Sequence, residues 1–100
     1  FEDCILNDSS FYKLKTKKTI FKNCRMHDID FSEADLSACV FDKCDLKGAV
    51  FNRTTLEKAD LRTAFNYSID PELNRIKKAQ FSIPSVICLL NKYDIKIALN

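Results

Sequence analysis

Five cysteines and one histidine are the residues of this chain that could carry metal or thiol chemistry. Cysteine thiolates bind soft metals and exchange disulfides, and histidine transfers protons near neutral pH. Cys4, Cys24 and Cys44 lie twenty residues apart, with Cys39 between the last two. Zinc ligands usually come in close pairs separated by two to four residues, so this spacing does not indicate a zinc site.

We interpret the cysteines as small hydrophobic residues of a core, because free cysteine is often buried and packs in this way. An odd number of cysteines without a visible signal peptide predicts reduced thiols and a cytoplasmic protein. His27 has no nucleophile at a defined spacing and is interpreted as a solvated surface residue. The sequence therefore predicts no catalytic residue, metal or cofactor; a metal or thiol-redox protein is an alternative that bound zinc or iron would reveal.

Large apolar residues recur at every fifth position, and this period defines the elements that must position the cysteines. From Phe1 to Leu61, twelve of the thirteen residues at this spacing are large and apolar, with Thr16 as the exception. The residues two positions earlier are mostly small. None of these 25 positions is charged, whereas the other 38 positions up to Thr63 carry 22 charges, so the segregation is not accidental.

Neither a helix nor a straight strand would bury every fifth residue on one side. Five helical residues rotate a side chain by roughly 140°, and five strand residues place it on the opposite face. The chain must therefore turn a corner once per repeat. Four sides close a square, which predicts a right-angled all-β solenoid with coils of twenty residues.

Charges twenty residues apart support four sides per coil, because outward residues at this spacing would stack on each other. Within residues 1–63, seven pairs at this spacing have opposite charges and one pair, Asp8–Asp28, has like charges. The opposite pairs are Glu2–Lys22, Lys13–Glu33, Lys15–Asp35, Lys22–Asp42, Arg25–Asp45, Glu33–Arg53 and Asp42–Arg62.

The repeat also predicts the residues of the core. Phenylalanine alternates with leucine or methionine, so we expect the phenylalanines to come from two opposite walls. The predicted large core residues are Phe11, Phe21, Met26, Phe31, Leu36, Phe41, Leu46, Phe51, Leu56 and Leu61, and the small ones are Cys24, Ala34, Cys39, Cys44, Ala49 and Ala59.

The runs Ala34–Ser37, Cys44–Gly48 and Ala59–Arg62 resemble the pentapeptide repeat family, whose pattern is a small residue, Asp or Asn, Leu or Phe, then two polar residues. The resemblance covers residues 1–63. It implies a right-handed quadrilateral β-helix without enzymatic activity. Leu14 and Thr16 depart from the pattern, and a bulge or loosened corner is expected there.

The rhythm weakens after Thr63, so the solenoid is assigned to residues 1–81, with an irregular last coil from about residue 64. Residues 82–100 are predicted to cap it. Ser82 can begin a helix from about Ile83 to Lys92, and residues 93–99 alternate like a short strand. The helix is apolar on nearly all sides, which favours burial on more than one face.

Gyrase-protecting members of the family, of the Qnr and MfpA type, dimerise through a C-terminal region of this kind. The resemblance implies a homodimer centred on Val86, Leu89, Leu90 and Ile95. A helix packed wholly against its own coil is the alternative.

A non-enzymatic module that binds or scaffolds a protein partner is the function predicted first. The alternative is a DNA-mimicking protein that protects a type II topoisomerase, for which an acidic surface is needed. The net charge is +2, and the best acidic patch consists of Asp28, Asp30, Glu33 and Asp35. A basic run over residues 13–22 lies below acidic residues of the next coil, so neither nucleic-acid nor membrane binding is expected.

Overall fold

The chain winds into a β-helix-like solenoid, which the computed structural model describes for residues 1–83 and for Leu89, Leu90, Tyr93 and Ile95. Parallel backbone pairs join residues twenty apart, from Glu2–Lys22 to Asp60–Gln80. The predicted coil of twenty residues is confirmed by this pairing.

Two of the pairings are long enough to form strands, which are β1 (Ile20–Lys22) and β2 (Val40–Asp42). They pair in parallel, with Ile20 opposite Val40 and Phe21 opposite Phe41. The other pairings are single bridges, because the chain turns a corner before a longer ladder can form. Each coil is therefore bonded to its neighbours above and below, as in a repeat protein.

Backbone hydrogen bonds connect each wall to the coils on both sides. The Arg25 N–H donates to the Cys4 carbonyl at 3.0 Å, and the Met26 N–H donates to the Asp45 carbonyl at 2.8 Å. The Asp45 N–H donates in turn to the Cys24 carbonyl at 3.0 Å. These bonds pair the backbone groups of inward and outward wall residues, which would otherwise lack partners between the coils.

Most corners contain a residue with positive φ, usually the second residue after the large core residue. Such a φ is what a type II turn requires at its third residue. The sole glycine, Gly48, occupies one of these places, and within the described residues non-glycine residues occupy thirteen positive-φ positions. A left-handed φ costs a non-glycine residue roughly 1–2 kcal/mol, so the corners oppose the stabilisation that the core supplies.

Ala38, with φ of 57°, offers a direct test of this strain. We expect Ala38→Gly to raise the free energy of unfolding by about 0.5–1 kcal/mol, because relief of the left-handed φ exceeds the added chain entropy. Ala34 is buried and does not have a positive φ, so Ala34→Gly should instead destabilise by about 1 kcal/mol. Urea unfolding measures the free energy of unfolding of both variants, and two changes of the same sign would contradict the backbone strain assigned to Ala38.

The core fills the interior of the solenoid. Of the sixteen predicted core residues, all are buried except Phe11, which is half-buried and packs against the others. Ile29, Ala64, Tyr67 and Ile69 extend the same cluster.

The phenylalanines form two stacks on opposite walls. The Phe21 ring lies parallel to those of Phe1 and Phe41, with ring centroids 5.1 Å away in each case. Phe31 and Phe51 stack at 5.4 Å. Phe31 also meets Phe41 edge to face at 6.0 Å, so the two stacks touch across the axis, as the alternation predicted.

The bulge expected at Leu14 and Thr16 is absent. The Thr16 N–H donates to the Asp35 carbonyl at 3.0 Å, and the Asp35 N–H donates to the Leu14 carbonyl at 2.9 Å, so the ladder continues through both residues. The misfit is absorbed by side chains instead. Leu14 is exposed, and Thr16 Oγ1 is buried without a hydrogen-bond partner in the described part of the chain.

The last coil is irregular between Asn66 and Asn74. Asn66 takes the positive φ, and Tyr67 rather than residue 66 is buried. A turn follows in which the Leu73 N–H donates to the Asp70 carbonyl at 3.1 Å. Regular pairing resumes where Arg75 meets Thr55.

The predicted capping helix from about Ile83 to Lys92 falls mostly outside the described residues and stays a prediction, as does the strand over residues 93–99. Ile83 is exposed, and Leu89 packs partly against the core. Within the described residues, the chain contains no helix of the length and apolarity that crossing a bilayer requires.

Candidate functional site

Three of the five positions in each repeat lie on the outside of the solenoid. One outward residue lies in the middle of each wall and two lie at each corner, and residues twenty apart form vertical columns along the axis. Because the core occupies the inward positions, a site on the solenoid that binds another molecule must be built from these columns.

The cysteine column faces the core and is occupied by structural contacts. Cys24 and Cys44 are buried, Cys4 is half-buried, and all three, with Cys39, are free thiols. Each buried thiol donates to a carbonyl of the preceding coil, and Thr54 and Asn74 use the same kind of contact. The pairs are Cys24–Phe1, Cys39–Thr16, Cys44–Phe21, Thr54–Phe31 and Asn74–Phe51.

Burial makes the inner thiols poor nucleophiles. It raises the pKa of the Cys44 thiol to about 11 and also raises the pKa of Cys39. Thiolates are the form that reacts and binds metals, so both residues are held in their inert state. Among the described residues, no three potential metal ligands cluster, and Cys88 lies outside them.

His27 is not the free surface residue that the sequence analysis predicted. Its Nε2 lies 2.6 Å from Asp45 Oδ2, and both side chains are largely covered. Asn66 Nδ2 donates to the other oxygen of this carboxylate at 3.0 Å. The contact ties three successive coils together. Its signal in the sequence is an offset of eighteen residues, two short of the column spacing.

The wall aspartates bind their own corners instead of pointing freely into solvent. Each accepts a hydrogen bond from the backbone N–H two residues later, which is an Asx turn. The donors to Asp30, Asp35 and Asp60 lie at 2.8, 3.0 and 3.1 Å. The carboxylates therefore hold each turn closed before they contribute any charge to the surface.

The predicted acidic patch of Asp28, Asp30, Glu33 and Asp35 is consequently not a single surface. Asp30 and Asp35 are half-buried Asx-turn residues on two different walls, and Asp28 and Glu33 lie at two different corners. The Asp28 carboxylate lies over Gly48, and Glu33 accepts a hydrogen bond from the Tyr12 hydroxyl at 3.2 Å. Residues close in sequence are dispersed because the chain changes wall every five residues.

These contacts lower the pKa values of several carboxyls. The hydrogen bond from Ser32 lowers the pKa of Asp30, and those from Arg62 lower that of Asp60. Burial alone would raise the pKa values of Asp35 and Asp45, but hydrogen bonds outweigh it and the net shift is downward.

We expect the protein to lose stability in acid for this reason. A carboxyl with a lowered pKa in the folded state stabilises at pH values above its unfolded pKa, near 3.9, and this stabilisation disappears as pH falls through the folded value. Urea midpoints between pH 7 and pH 2 should decline below about pH 4. Asp45→Asn should flatten this decline, whereas Asp8→Asn, at an exposed corner, should not. An unchanged midpoint at low pH would contradict the role assigned to the carboxylates.

The charged columns indicated the correct register but not the ion pairs themselves. Of the seven pairs predicted from the sequence, only Glu2–Lys22 is within 4.0 Å in the described residues. Lys17 pairs with Asp35 at 3.5 Å, in place of the expected Lys15. Arg62 binds Asp60 on its own coil with two hydrogen bonds, at 2.9 and 3.0 Å. Long charged side chains therefore form ion pairs with residues of a neighbouring column or of their own coil, as well as with residues twenty positions away.

The predicted dimer residues are described only in part. Leu89 is half-buried against the core, Leu90 is 38% exposed, and Ile95 is 56% exposed. Val86 lies outside the described residues.

Comparison with known proteins gives a consistent picture of the repeat. Residues 1–64 match the family described as the pentapeptide repeat region. No curated protein sequence matches the chain.

Solved structures with a similar backbone have little sequence in common with this chain. A trypsin-treated variant of QnrB1, whose title calls it a plasmid-mediated fluoroquinolone resistance protein, is 13% identical with a TM-score of 0.47. That match covers 92% of this chain and 47% of the other, so this chain spans about half of that protein's length. The pentapeptide repeat protein Rfr23 from the cyanobacterium Cyanothece 51142 is 18% identical over 86% of this chain and 62% of its own, with a TM-score of 0.35.

Proposed function

Because this chain belongs to the pentapeptide repeat family, we propose that it acts as a rigid, non-catalytic module that binds or scaffolds a protein partner. One observation carries the proposal: the interior is filled by its own side chains, while the outward residues stand in fixed columns. A surface that is already ordered loses little entropy when it binds, which favours recognition by shape and charge.

The cysteines and His27, which could carry chemistry, are engaged in structural contacts, and this supports a binding role. The described buried cysteines serve as donors to backbone carbonyls, and His27 is engaged by Asp45. A shallow outer groove of about 350 Å³ lies over the cysteine wall, between Ile5 and Phe65. These two exposed apolar residues flank Arg25 and Asp45, a combination typical of a surface for another protein.

The proposal is tested by identifying a partner and reconstituting the complex from pure components. The immobilised chain captures candidates from a lysate of the source organism, and calorimetry then measures each purified candidate. We expect a dissociation constant in the micromolar range or below. Equal binding by a chain that heat has unfolded would mean that the solenoid surface is not used, and no measurable binding by any purified candidate would overturn the proposal.

The second candidate function is protection of a type II topoisomerase by DNA mimicry. A supercoiling assay with and without a fluoroquinolone distinguishes it from the proposed function. We expect no protection and no inhibition at micromolar protein. Mimicry needs a dominant negative field, and the predicted acidic patch is dispersed over two walls and two corners. Clear protection would replace the proposed function.

We also infer a reducing cytoplasm as the location of the protein, since it would keep the cysteines as thiols. We further infer a homodimer, whose contact is formed by Val86, Leu89, Leu90 and Ile95. The exposure of Leu90 and Ile95 supports an apolar contact there. Light scattering at tens of micromolar protein distinguishes the states, and a monomer would remove the dimer.

A further inference from the structure

One corner of the solenoid gathers lysines from distant parts of the sequence. The corner residues 17–18, 37–38, 57–58 and 77–78 stack on each other along four coils. The Lys18 N–H donates to the Ser37 carbonyl at 2.9 Å, and the Lys58 N–H donates to the Lys77 carbonyl at 3.0 Å. Stacked strands lie about 4.8 Å apart, so this column is a compact strip. We call it the basic corner, and its lysines are Lys17, Lys18, Lys58, Lys77 and Lys78.

The basic corner breaks the charge pattern of the rest of the surface. It holds five lysines and one acid, Glu57. Lys58 and Lys78 occupy the same place in successive coils, where like charges are destabilising. All five lysines are exposed, and within the described part of the chain only Lys17 has a carboxylate within 4.0 Å. A bound anionic group would relieve this repulsion.

Shape and neighbouring residues add to the charge. One shallow groove of about 270 Å³ lies among Lys17, Lys18 and Lys58, and another of about 220 Å³ lies among Lys58, Lys77 and Lys78. On the wall that follows the corner, Ile20 is 58% exposed and pairs with the half-buried Val40. The strip therefore offers cationic groups along its length and an apolar surface beside one end.

We propose that the basic corner binds an extended acidic segment of a protein partner, with Ile20 and Val40 receiving an apolar side chain of that segment. Asp35 and Asp60, on the two walls that flank the corner, are each paired with a cation, Lys17 and Arg62, so they do not separate a peptide from a nucleic acid. A nucleic acid carries no apolar side chain to place against Ile20 and Val40, whereas a peptide can carry one beside its acidic residues. Among the described residues, neither flanking wall presents an aromatic ring on which a base could stack. These observations favour an acidic peptide.

This inference rests on the proposed function, since it assigns one surface and one partner chemistry to the module. The probe is a fluorescein-labelled peptide of glutamates around one central leucine, titrated by fluorescence anisotropy. The corner variant Lys58→Gln/Lys77→Gln/Lys78→Gln should weaken binding about tenfold or more. The control Lys13→Gln/Lys22→Gln/Lys43→Gln removes the same charge from other corners and should change affinity by no more than about twofold.

Two further probes settle the assignment. Ile20→Ser should weaken binding of the leucine-containing peptide but not of an all-glutamate peptide. Tighter binding of a DNA duplex than of the peptide, equal losses in the two triple variants, or no peptide binding even at low salt would each overturn the inference. A partner that binds the wild-type chain and the corner variant equally well would overturn the assignment of the basic corner as the binding surface, but it would leave the proposed function standing.

Discussion

Replacement of Phe41 by alanine is expected to lower the free energy of unfolding by about 3–5 kcal/mol. The ring is fully buried, stacks on Phe21 at 5.1 Å and meets Phe31 edge to face at 6.0 Å. Its removal leaves a cavity between the two phenylalanine stacks, and rings anchored in neighbouring coils cannot collapse into it. Urea or thermal unfolding of the purified variant measures the loss.

Phe65→Ala is the matched control, since the Phe65 side chain is 44% exposed on the outside of a wall. Its removal should lower the free energy of unfolding by less than about 1 kcal/mol. If Phe41→Ala does not fold, Phe41→Leu provides a graded measurement and should cost about 1–2 kcal/mol. A loss below about 1 kcal/mol for Phe41→Ala would mean that the stack does not stabilise the solenoid.

Asn74→Ala is expected to cost about 2–4 kcal/mol, because two buried backbone groups lose their partner and the Asp70 carbonyl loses one of its two donors. Asn74 is buried, and its Oδ1 accepts from the Thr54 N–H at 2.9 Å. Its Nδ2 donates to the carbonyls of Phe51 at 3.1 Å and Asp70 at 2.9 Å. The residue thus attaches the irregular last coil to the regular one below it.

Asn52→Ala tests the same substitution at an exposed corner and should change stability by less than about 0.5 kcal/mol. Asn74→Thr should recover part of the loss, since the hydroxyl of Thr54 in the equivalent place donates to the Phe31 carbonyl at 2.8 Å. Equal stability of Asn74→Ala and the wild type would contradict this attachment.

The repeat predicted most of the architecture because it constrains the backbone directly. Burial of every fifth residue allows few chain paths, and the charges then selected coils of twenty residues. The prediction of a bulge or loosened corner at Leu14 and Thr16 was wrong, since the backbone hydrogen bonds to the following coil hold the path of this segment although its side chains fit the pattern poorly. Backbone pairing is cooperative along the solenoid, whereas the five-residue pattern treats each repeat alone.

The surface was much harder to predict than the core. The aspartates before each large residue were interpreted as free outward charges, but the carboxylates of Asp30 and Asp35 accept hydrogen bonds from the backbone N–H groups of the next corner. Asn74 occupies a position where small residues are usual, and its three hydrogen bonds depend on a turn that no pattern announced. The basic corner was not predicted because its first and last lysines, Lys17 and Lys78, lie 61 positions apart in the chain.

The two periods of this solenoid have different consequences for how such a chain can change length. Core positions recur every five residues, whereas outward columns recur every twenty. Because phenylalanine alternates with leucine or methionine, a duplication or deletion of ten residues would preserve the two ring stacks while rotating everything beyond it by half a turn, which recombines the faces. A change of twenty residues would lengthen or shorten the rod and keep each face intact. Evolution can thus alter what this protein displays without redesigning how it folds.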